Sequence, residues 1–286
     1  MSVSLLDTPC VAAETGTPTS AGAGYLCAVR TSAGMTAVTH ARSTSPLRLF
    51  TPRAGRRSAW VVSTTLGGGL VGGDDINIAM DVGPGAQVLF TTQSSTKVYR
   101  SARPTRQRLS ARVEDDGLLA VLPDPIAAFA GSSFEQQSAC DLGARANLLI
   151  VDWLQSGRPA YGDEWAFDHY ASRFQIRRSG RLVFADHLRL NRADGSIARR
   201  MCGFTNYALL IASGPVLEAM VADLIARVTE RTPTDAPLMA AAPLHDGSGV
   251  VVRIAGHSVE AVSSALRQCC QPVLALLGED PWASRW

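Results

Sequence analysis

The chain has 286 residues, a formal net charge of +2 and 46% hydrophobic residues, so it is long enough to bury a substantial core. Its small net charge argues against a nucleic-acid-binding protein, because such domains concentrate far more positive charge. No uninterrupted apolar run approaches the roughly 18 residues of a membrane-spanning helix. Residues 1–24 lack the basic and apolar regions of a signal peptide and are predicted to be a flexible tail, which favours a cytoplasmic protein.

Short segments rich in β-branched and aromatic residues, separated by Gly, Pro, Asp or Asn, predict β-strands over most of the chain. They lie at 59–66, 76–82, 86–92, 106–114, 118–123, 146–154, 170–178 and 181–190. In segment 76–82 the apolar residues occupy every second position, as in a half-buried strand. Three of the segments follow directly on a glycine turn, which predicts repeated turn–strand units in stacked sheets.

Helical patterns appear only late in the chain. Residues 213–231 carry one apolar stripe with the period of an α-helix. A loop is predicted between 232 and 249, followed by a strand at 249–256. Residues 257–278 again predict a helix, which Pro272 is expected to kink or divide.

These patterns together predict a mainly β protein. Residues 25–286 are expected to form one domain of stacked β-sheets, β-helix-like or sandwich-like, with two C-terminal α-helices. The six cysteines show no CxxC spacing and no disulfide framework, so they are interpreted as free thiols in a reducing compartment. The five histidines are scattered without an HxH or HxxxH pair, so no tightly bound metal or other cofactor is predicted.

Five glycines within residues 67–73 raise the question of a nucleotide-binding loop. A dinucleotide fingerprint needs a helix after the glycines, whereas a strand pattern follows here. A P-loop also fails, because Gly73 and Asp74 stand where Lys and Ser or Thr are required. The stretch therefore predicts a tight turn, and Asp74 at its end is either part of that turn or a functional carboxylate.

Several motifs in a fixed order resemble the urease accessory protein D family, also called UreD or UreH. They are the glycine turn at 68–74, "PGA" at 84–86, "TTQSSTKVYRS" at 91–101, "LPDP" at 122–125, and "DWLQSGRPAYGDEW" at 152–165, which matches the family pattern at Asp152, Gly157, Arg158, Gly162 and Glu164. The resemblance spans roughly residues 40–215. It also touches "RLVFADHLRL" at 181–190, where Asp186 stands in place of the Glu that some relatives carry.

The resemblance implies a scaffold for urease maturation with no turnover of its own. Members of the family bind apo-urease and recruit the UreF protein and the UreG GTPase, whose GTP hydrolysis accompanies nickel delivery to urease. The resemblance also implies a polar internal route for nickel in transit, and Asp152 and Asp186 are the candidate residues for it. Neither nucleic acid nor a membrane is expected among the partners.

Asp152 lies inside an apolar strand pattern, and removing an unpaired carboxylate from water costs several kcal/mol. Two interpretations stay open: an ion pair with Arg158 across the following turn, or a carboxylate that lines a hydrated passage for a cation. Asp186 and His187 are neighbours on a predicted strand, so at most one of them faces the interior. For His187 alone, a surface position is the favoured interpretation.

Six basic residues with no acid among them follow between positions 97 and 112: Lys97, Arg100, Arg103, Arg106, Arg108 and Arg112. They predict either a solvated basic face or a docking surface for an acidic partner, with Tyr99 as an anchor. The candidate partner-binding residues are Asp74, Lys97, Tyr99, Arg100, Arg158 and Glu164.

Two other functional classes remain as alternatives. One is a β-rich hydrolase with Asp152 and Asp186 as acid and base. The other is a carbohydrate-binding or adhesive β-module, which would normally be secreted and is disfavoured by the missing signal peptide and disulfide pattern.

Overall fold

Two β-sheets and two long helices dominate the part of the chain that the computed structural model describes, residues 20–52, 57–232 and 234–278. The strands are β1 (Ala23–Arg30), β2 (Thr36–Ser43), β3 (Leu47–Phe50), β4 (Ala59–Thr65), β5 (Asp75–Val82), β6 (Gln87–Thr92), β7 (Thr96–Val98), β8 (Thr105–Val113), β9 (Leu118–Val121), β10 (Ile126–Ala128), β11 (Ser133–Leu142), β12 (Asn147–Gln155), β13 (His169–Arg178), β14 (Arg181–Asn191), β15 (Asn206–Ser213), β16 (Leu238–Pro243) and β17 (Gly249–Gly256). The helices are α1 (Ile197–Arg200), α2 (Glu218–Thr229) and α3 (Val259–Leu277). Most of the predicted tail over residues 1–24 lies outside the described ranges.

Apart from the short β7 and β10, which also belong to sheet 2, the strands from β4 to β13 alternate between the two sheets and build a stack of parallel coils. Sheet 1 has the order β14-β13-β11-β8-β5-β1-β2, and sheet 2 has the order β16-β17-β15-β12-β9-β6-β4-β3, with β10 paired to β12 and β7 to β10. Paired residues lie 31 positions apart between β5 and β8, and 29 positions apart between β8 and β11. The same two offsets recur in sheet 2 between β6, β9 and β12, so each coil has a nearly constant length.

The glycine turns anticipated from the sequence are the corners where sheet-1 strands lead into sheet-2 strands. These corners lie at 83–86, 114–117 and 143–146. They stack directly on one another: the Leu118 N–H donates to the Ala86 carbonyl, and the Asn147 N–H donates to the Gly117 carbonyl, both at 2.8 Å. Gly85 has a φ of +63°, a left-handed conformation that glycine adopts without strain. The prediction of stacked turn–strand units is confirmed.

Sheet 2 is buried on both faces, and this gives the protein two core layers. Its inner face packs on sheet 1, and its outer face packs on α2 and α3. In β12, Leu148, Ile150 and Leu154 belong to the inner layer, whereas Leu149 and Val151 belong to the outer layer. Successive side chains of a strand point to opposite faces, so a strand buried on both faces is nearly continuously apolar.

Both predicted late helices are confirmed. The apolar stripe of α2 is buried against the outer face of sheet 2. α3 begins after Ser258, whose hydroxyl accepts a hydrogen bond from the Ala261 N–H at 3.1 Å, as an N-cap does. α3 then continues through Pro272 to Leu277, so of the two expected effects of this proline, a kink or a division, the division is wrong.

Three late elements differ from the sequence-based expectation. β15 lies at 206–213, where no strand was predicted. β16 lies inside the segment 232–249 that was predicted as a loop, and it pairs antiparallel with β17. Its sequence, LMAAAP, has no β-branched residue, so the neighbouring strand and not local propensity determines its conformation. α1 is a single turn for which no signal was found. Within the described ranges, no helix is both long enough and apolar enough to cross a bilayer.

Candidate functional site

Four successive connections that lead from sheet 2 back to sheet 1 stack at one end of the coils. They lie at 66–74, 93–104, 122–132 and 156–168. The Leu70 N–H donates to the Lys97 carbonyl at 2.7 Å, and the Phe129 N–H donates to the Val98 carbonyl at 3.0 Å. We call this region the motif end, because it gathers the glycine turn, "TKVYRS", "LPDP" and "GRPAYGDEW", which are far apart in the sequence.

The glycine stretch is a turn of the motif end, and strand β5 follows it instead of a helix. The architecture of a nucleotide-binding loop is therefore not formed. Gly69 lies so close to the next connection that an added Cβ would sit 2.6 Å from the Lys97 carbonyl oxygen and from the Tyr99 ring. The Asp74 carboxylate accepts a hydrogen bond from the Val71 N–H at 2.8 Å. Of the two interpretations of Asp74, this geometry favours the turn residue.

A cavity of about 80 Å³ lies between the two sheets beside the motif end. Its polar lining includes Ser94, Ser95 and Asp124 from the motif end, Thr92 from the end of β6, and Gln136 and Asp152 from the interior of the sheets. One water needs roughly 10–15 Å³ of such space and several polar partners. The cavity therefore has both the room and the chemistry for a short file of water molecules.

Asp152 is the centre of a buried polar cluster that joins the two sheets. Its side chain reaches from β12 toward β11 and β13. The Gln136 amide donates to Asp152 Oδ1, and the Ser172 hydroxyl donates to Asp152 Oδ2, each at 2.6 Å. The same Gln136 nitrogen lies 3.0 Å from the Tyr170 hydroxyl and 3.0 Å from the Ser172 hydroxyl. Both carboxylate oxygens are thus held by uncharged donors.

The predicted ion pair between Asp152 and Arg158 is wrong. Arg158 lies beyond the end of β12, where its Nε donates to Asp163 Oδ2 at 2.8 Å. The two residues are close in sequence, but the Asp152 side chain points between the sheets while the chain at Arg158 has already turned to the surface. Glu164, the other candidate of this segment, is an exposed residue of the same connection.

Asp186, the second carboxylate predicted for the route, lies at the edge of the intersheet space. It accepts a hydrogen bond from Arg253 Nη2 at 2.6 Å, which links β14 of sheet 1 to β17 of sheet 2. Burial raises the pKa of Asp152; the hydrogen bonds from Ser172 and Gln136 oppose that shift, and the charge of Asp186 adds to it. Asp152 and Asp186 are therefore near enough to influence each other electrostatically.

The remaining polar groups give no sign of a resident metal centre or of an acid–base pair. Among the residues that the structure describes, no three His, Cys, Asp or Glu side chains converge in a way that could hold a metal ion. His187 faces outward from β14, where Arg173 Nε donates to its Nε2 at 3.4 Å, as the alternation with Asp186 predicts. Because Arg253 occupies Asp186, the geometry does not support a hydrolase that uses Asp152 and Asp186.

The basic stretch divides between two surfaces, and all six of its basic side chains are exposed. Arg106 and Arg108 lie on the outer face of sheet 1, where they pair with Glu135 at 3.2 Å and with Asp75 at 2.9 Å. Lys97, Arg100 and Arg103 lie in the second connection of the motif end. The interpretation as a solvated face is thus confirmed for the basic residues in β8. The interpretation as a docking surface now concerns Lys97, Arg100 and Arg103.

Sequence analysis missed several members of this site. Asp124 stands inside the "LPDP" motif, so the motif itself was the available signal. Gln136 lies in β11 between the exposed Glu135 and Gln137, and a run of three polar residues gives no hint that the middle one is buried. Arg253 meets Asp186 across 67 positions, a distance that local patterns do not bridge.

Fold and site together define a class of protein: stacked β-coils with a polar cavity between the sheets and the sequence motifs gathered at one end. The family model described as UreD urease accessory protein matches residues 22–285. A urease accessory protein UreD from Sorangium cellulosum is 45% identical over 93% of this chain and 85% of its own length. One from Anaeromyxobacter sp. is 41% identical over 98% and 95%, and urease accessory protein D of Arabidopsis thaliana is 32% identical over 87% and 96%. The chain belongs to the UreD family of urease accessory proteins, and this membership supports an accessory role in urease maturation.

Proposed function

We propose that this chain is a scaffold that binds apo-urease, recruits the UreF protein and the UreG GTPase, and lets nickel pass through its intersheet cavity. The observation that carries the proposal is Asp152, a buried carboxylate that lines the cavity and is held by uncharged donors. A buried carboxylate without a cationic partner is costly. A cation in transit would supply the missing charge, and the family membership points to nickel as that cation.

Three carboxylates mark the proposed path. Asp124 lies in the motif end, Asp152 lies inside, and Asp186 lies at the edge between the sheets. Carboxylate and water oxygens are harder donors than the imidazole and thiolate groups that retain first-row transition metals in permanent sites. An oxygen-lined path therefore suits an ion that must leave again, and the cavity has room for the ion to keep part of its water.

Arg253 closes this path at the edge. Its Nη2 donates a hydrogen bond to Asp186 Oδ1 at 2.6 Å, so a cation that binds Asp186 has to displace the guanidinium. In the proposed mechanism the edge stays shut in the isolated chain and opens when Arg253 moves.

The chemical step of maturation belongs to the partners in this proposal. The chain has no turnover of its own and binds no cofactor tightly, and GTP is hydrolysed by the UreG protein. The complex works in the cytoplasm, without nucleic acid or membrane. Purified chain incubated alone with GTP should release no phosphate above background.

The decisive test replaces Asp152 by Asn in an activation mixture of apo-urease, the UreF and UreG proteins, GTP and nickel. Asn is nearly isosteric and still accepts water, so complexes should form as with the wild type. Nickel content and urease activity should fall by about tenfold or more, which corresponds to about 1.4 kcal/mol. Asp141→Asn, the same change at an exposed acid of β11 on the outer face of sheet 1, is the matched control and should behave as wild type.

The two readouts separate the possible failures. Normal nickel content in intact Asp152→Asn complexes would remove this residue from the path. Loss of the complexes themselves, with Asp141→Asn unaffected, would show that Asp152 serves assembly instead of transfer.

A further inference from the structure

A second pocket, of about 420 Å³, lies on the surface of the motif end. Its aromatic and cationic side chains come from three successive connections: Lys97, Tyr99, Phe129, Arg158 and Tyr161. We call it the aromatic–cation pocket. Ser95 lines both this pocket and the intersheet cavity, so the pocket lies beside the cavity wall that faces the motif end.

The aromatic–cation pocket is organised around Arg158. The guanidinium carbon lies 4.4 Å from the centre of the Phe129 ring and 5.1 Å from that of Tyr161, which are cation–π distances. Tyr99 meets Phe129 edge to face, with ring centres 5.3 Å apart. Asp163 accepts from Nε and Nη2 of Arg158, and this fixes one edge of the guanidinium while Nη1 makes no hydrogen bond within the described residues.

The exposure of these groups is unusual for side chains that pack so closely together. Tyr161 is 77% exposed although it stacks with Arg158, and Lys97, which also lines the pocket, is exposed. Tyr and Arg are enriched among the residues that dominate binding energy at protein interfaces. The attraction between a cation and an aromatic ring is strongest when a bound partner removes the remaining water around both groups.

We propose that the aromatic–cation pocket is the docking site for a segment of a protein partner that carries a carboxylate side chain next to a large apolar one. The charge of the pocket lining selects the carboxylate. Lys97 and Arg158 are both cations, and the lining contains no acidic residue among those that the structure describes. The aromatic rings of Phe129 and Tyr161 provide the surface for the apolar neighbour.

The inference rests on the proposed function, which also explains why the docking site lies beside the cavity. A cation that enters or leaves the cavity at the motif end would exchange with bulk water if that end stayed uncovered. A partner bound to the aromatic–cation pocket covers Ser95, which is part of the wall of the intersheet cavity. The same contact thus gives affinity and keeps the cation from solvent.

The test measures binding of apo-urease and of the UreF protein, each separately, to full-length wild type and to two variants, Lys97→Glu and Tyr161→Ala. Both side chains are exposed, so both variants should keep the wild-type Tm. Arg181→Glu and Leu182→Ala, an exposed charge reversal and an exposed truncation on the edge strand β14, are the matched controls. For one of the two partners, each pocket variant should weaken binding by about tenfold or more, and wild-type binding should weaken as salt is raised.

The outcomes distinguish this inference from the proposed function. Pocket variants that bind both partners as tightly as the wild type does would overturn the docking site and leave the scaffold role standing. Equal losses in the pocket variants and in the β14 controls would also overturn it, because the effect would then not be local. A wild-type chain that binds neither apo-urease nor the UreF protein would overturn both proposals together.

Discussion

The two faces of β12 are both buried and yet are built differently. On the outer face Leu149 is fully buried against the helices, and on the inner face Asp152 is only 9% exposed. The outer layer surrounds Leu149 with apolar side chains such as Leu266 and Val273. The inner layer surrounds Asp152 with Gln136 and Ser172 and with a cavity.

This difference shows that burial alone does not decide what a strand position can hold. A carboxylate is tolerated where the facing sheet provides donors and room for water, because these replace part of the hydration that the group loses. A helical layer of apolar side chains provides neither. The polar interior is therefore a property of the sheet-to-sheet layer and not of β12 itself.

Moving the charge to the outer face should have the largest effect. Leu149→Asp places a carboxylate in the apolar outer layer, on the opposite face from Gln136 and Ser172, and we expect it to cost more than about 4 kcal/mol. Urea unfolding monitored by circular dichroism would measure this loss, and the variant should be largely unfolded or insoluble. Leu149→Met is the control, with an expected cost under about 1.5 kcal/mol. A folded, cooperative Leu149→Asp protein would mean that the outer layer can hydrate a charge after all.

The second-largest effect is expected on the inner face, where the Asp152 carboxyl should make the free energy of unfolding depend on pH. Burial raises the pKa of Asp152, so the folded chain holds this proton more firmly than the unfolded chain, in which an Asp titrates near about 3.9. The stabilisation from this group is full below that pH and is lost as the pH rises through the folded pKa. Each unit of elevation corresponds to about 1.4 kcal/mol.

Urea unfolding of wild type and Asp152→Asn at a series of pH values checks this expectation. Between about pH 4 and neutrality, the free energy of unfolding of the wild type should fall relative to that of the variant. Parallel curves would mean that the hydrogen bonds from Gln136 and Ser172 offset the burial of the charge completely.

The smallest effect is expected at the edge of the inner layer. Arg253→Gln removes the cation from Asp186 and leaves two carboxylates, Asp186 and Asp152, to attract a dication. We expect Ni²⁺ to bind about tenfold more tightly, a gain of about 1.4 kcal/mol, measured by isothermal titration calorimetry at neutral pH. Arg173→Gln on the outer face of sheet 1 is the matched control. Unchanged Ni²⁺ affinity in Arg253→Gln would place Asp186 outside the path.

Local patterns predicted the parts of the fold that local chemistry determines. The strands from β4 to β6, β8, β9, β12 to β14 and β17 coincide with apolar or alternating segments, and the corners coincide with glycine turns. The strands that were not recognised are β1 to β3, β7, β10, β11, β15 and β16. Among them, β11 carries many polar residues and β16 is rich in alanine. Both are strands because neighbouring strands pair with them, and a sequence pattern does not contain that information.

The candidate site, like the fold, could be predicted from the sequence only where local patterns determine it. Asp152 could be singled out, since a carboxylate in an apolar strand is conspicuous in the sequence. Its donors could not, because Gln136 and Ser172 belong to two other strands of the opposite sheet. Arg158 was assigned to the wrong partner because nearness in the sequence was taken for nearness in space, whereas the stacked coils bring it to Phe129.

The coil offsets also set the order in which a growing polypeptide can complete its interior during synthesis. Contacts between residues that are close in sequence form early, and contacts between distant residues wait for the later segment. Asp152 receives its two donors from residues 16 and 20 positions away, so its cluster closes as soon as β13 has emerged. Asp186 can pair with Arg253 only after 67 further positions have been synthesised. The ion pair that closes the edge is therefore one of the last contacts to form in the nascent chain.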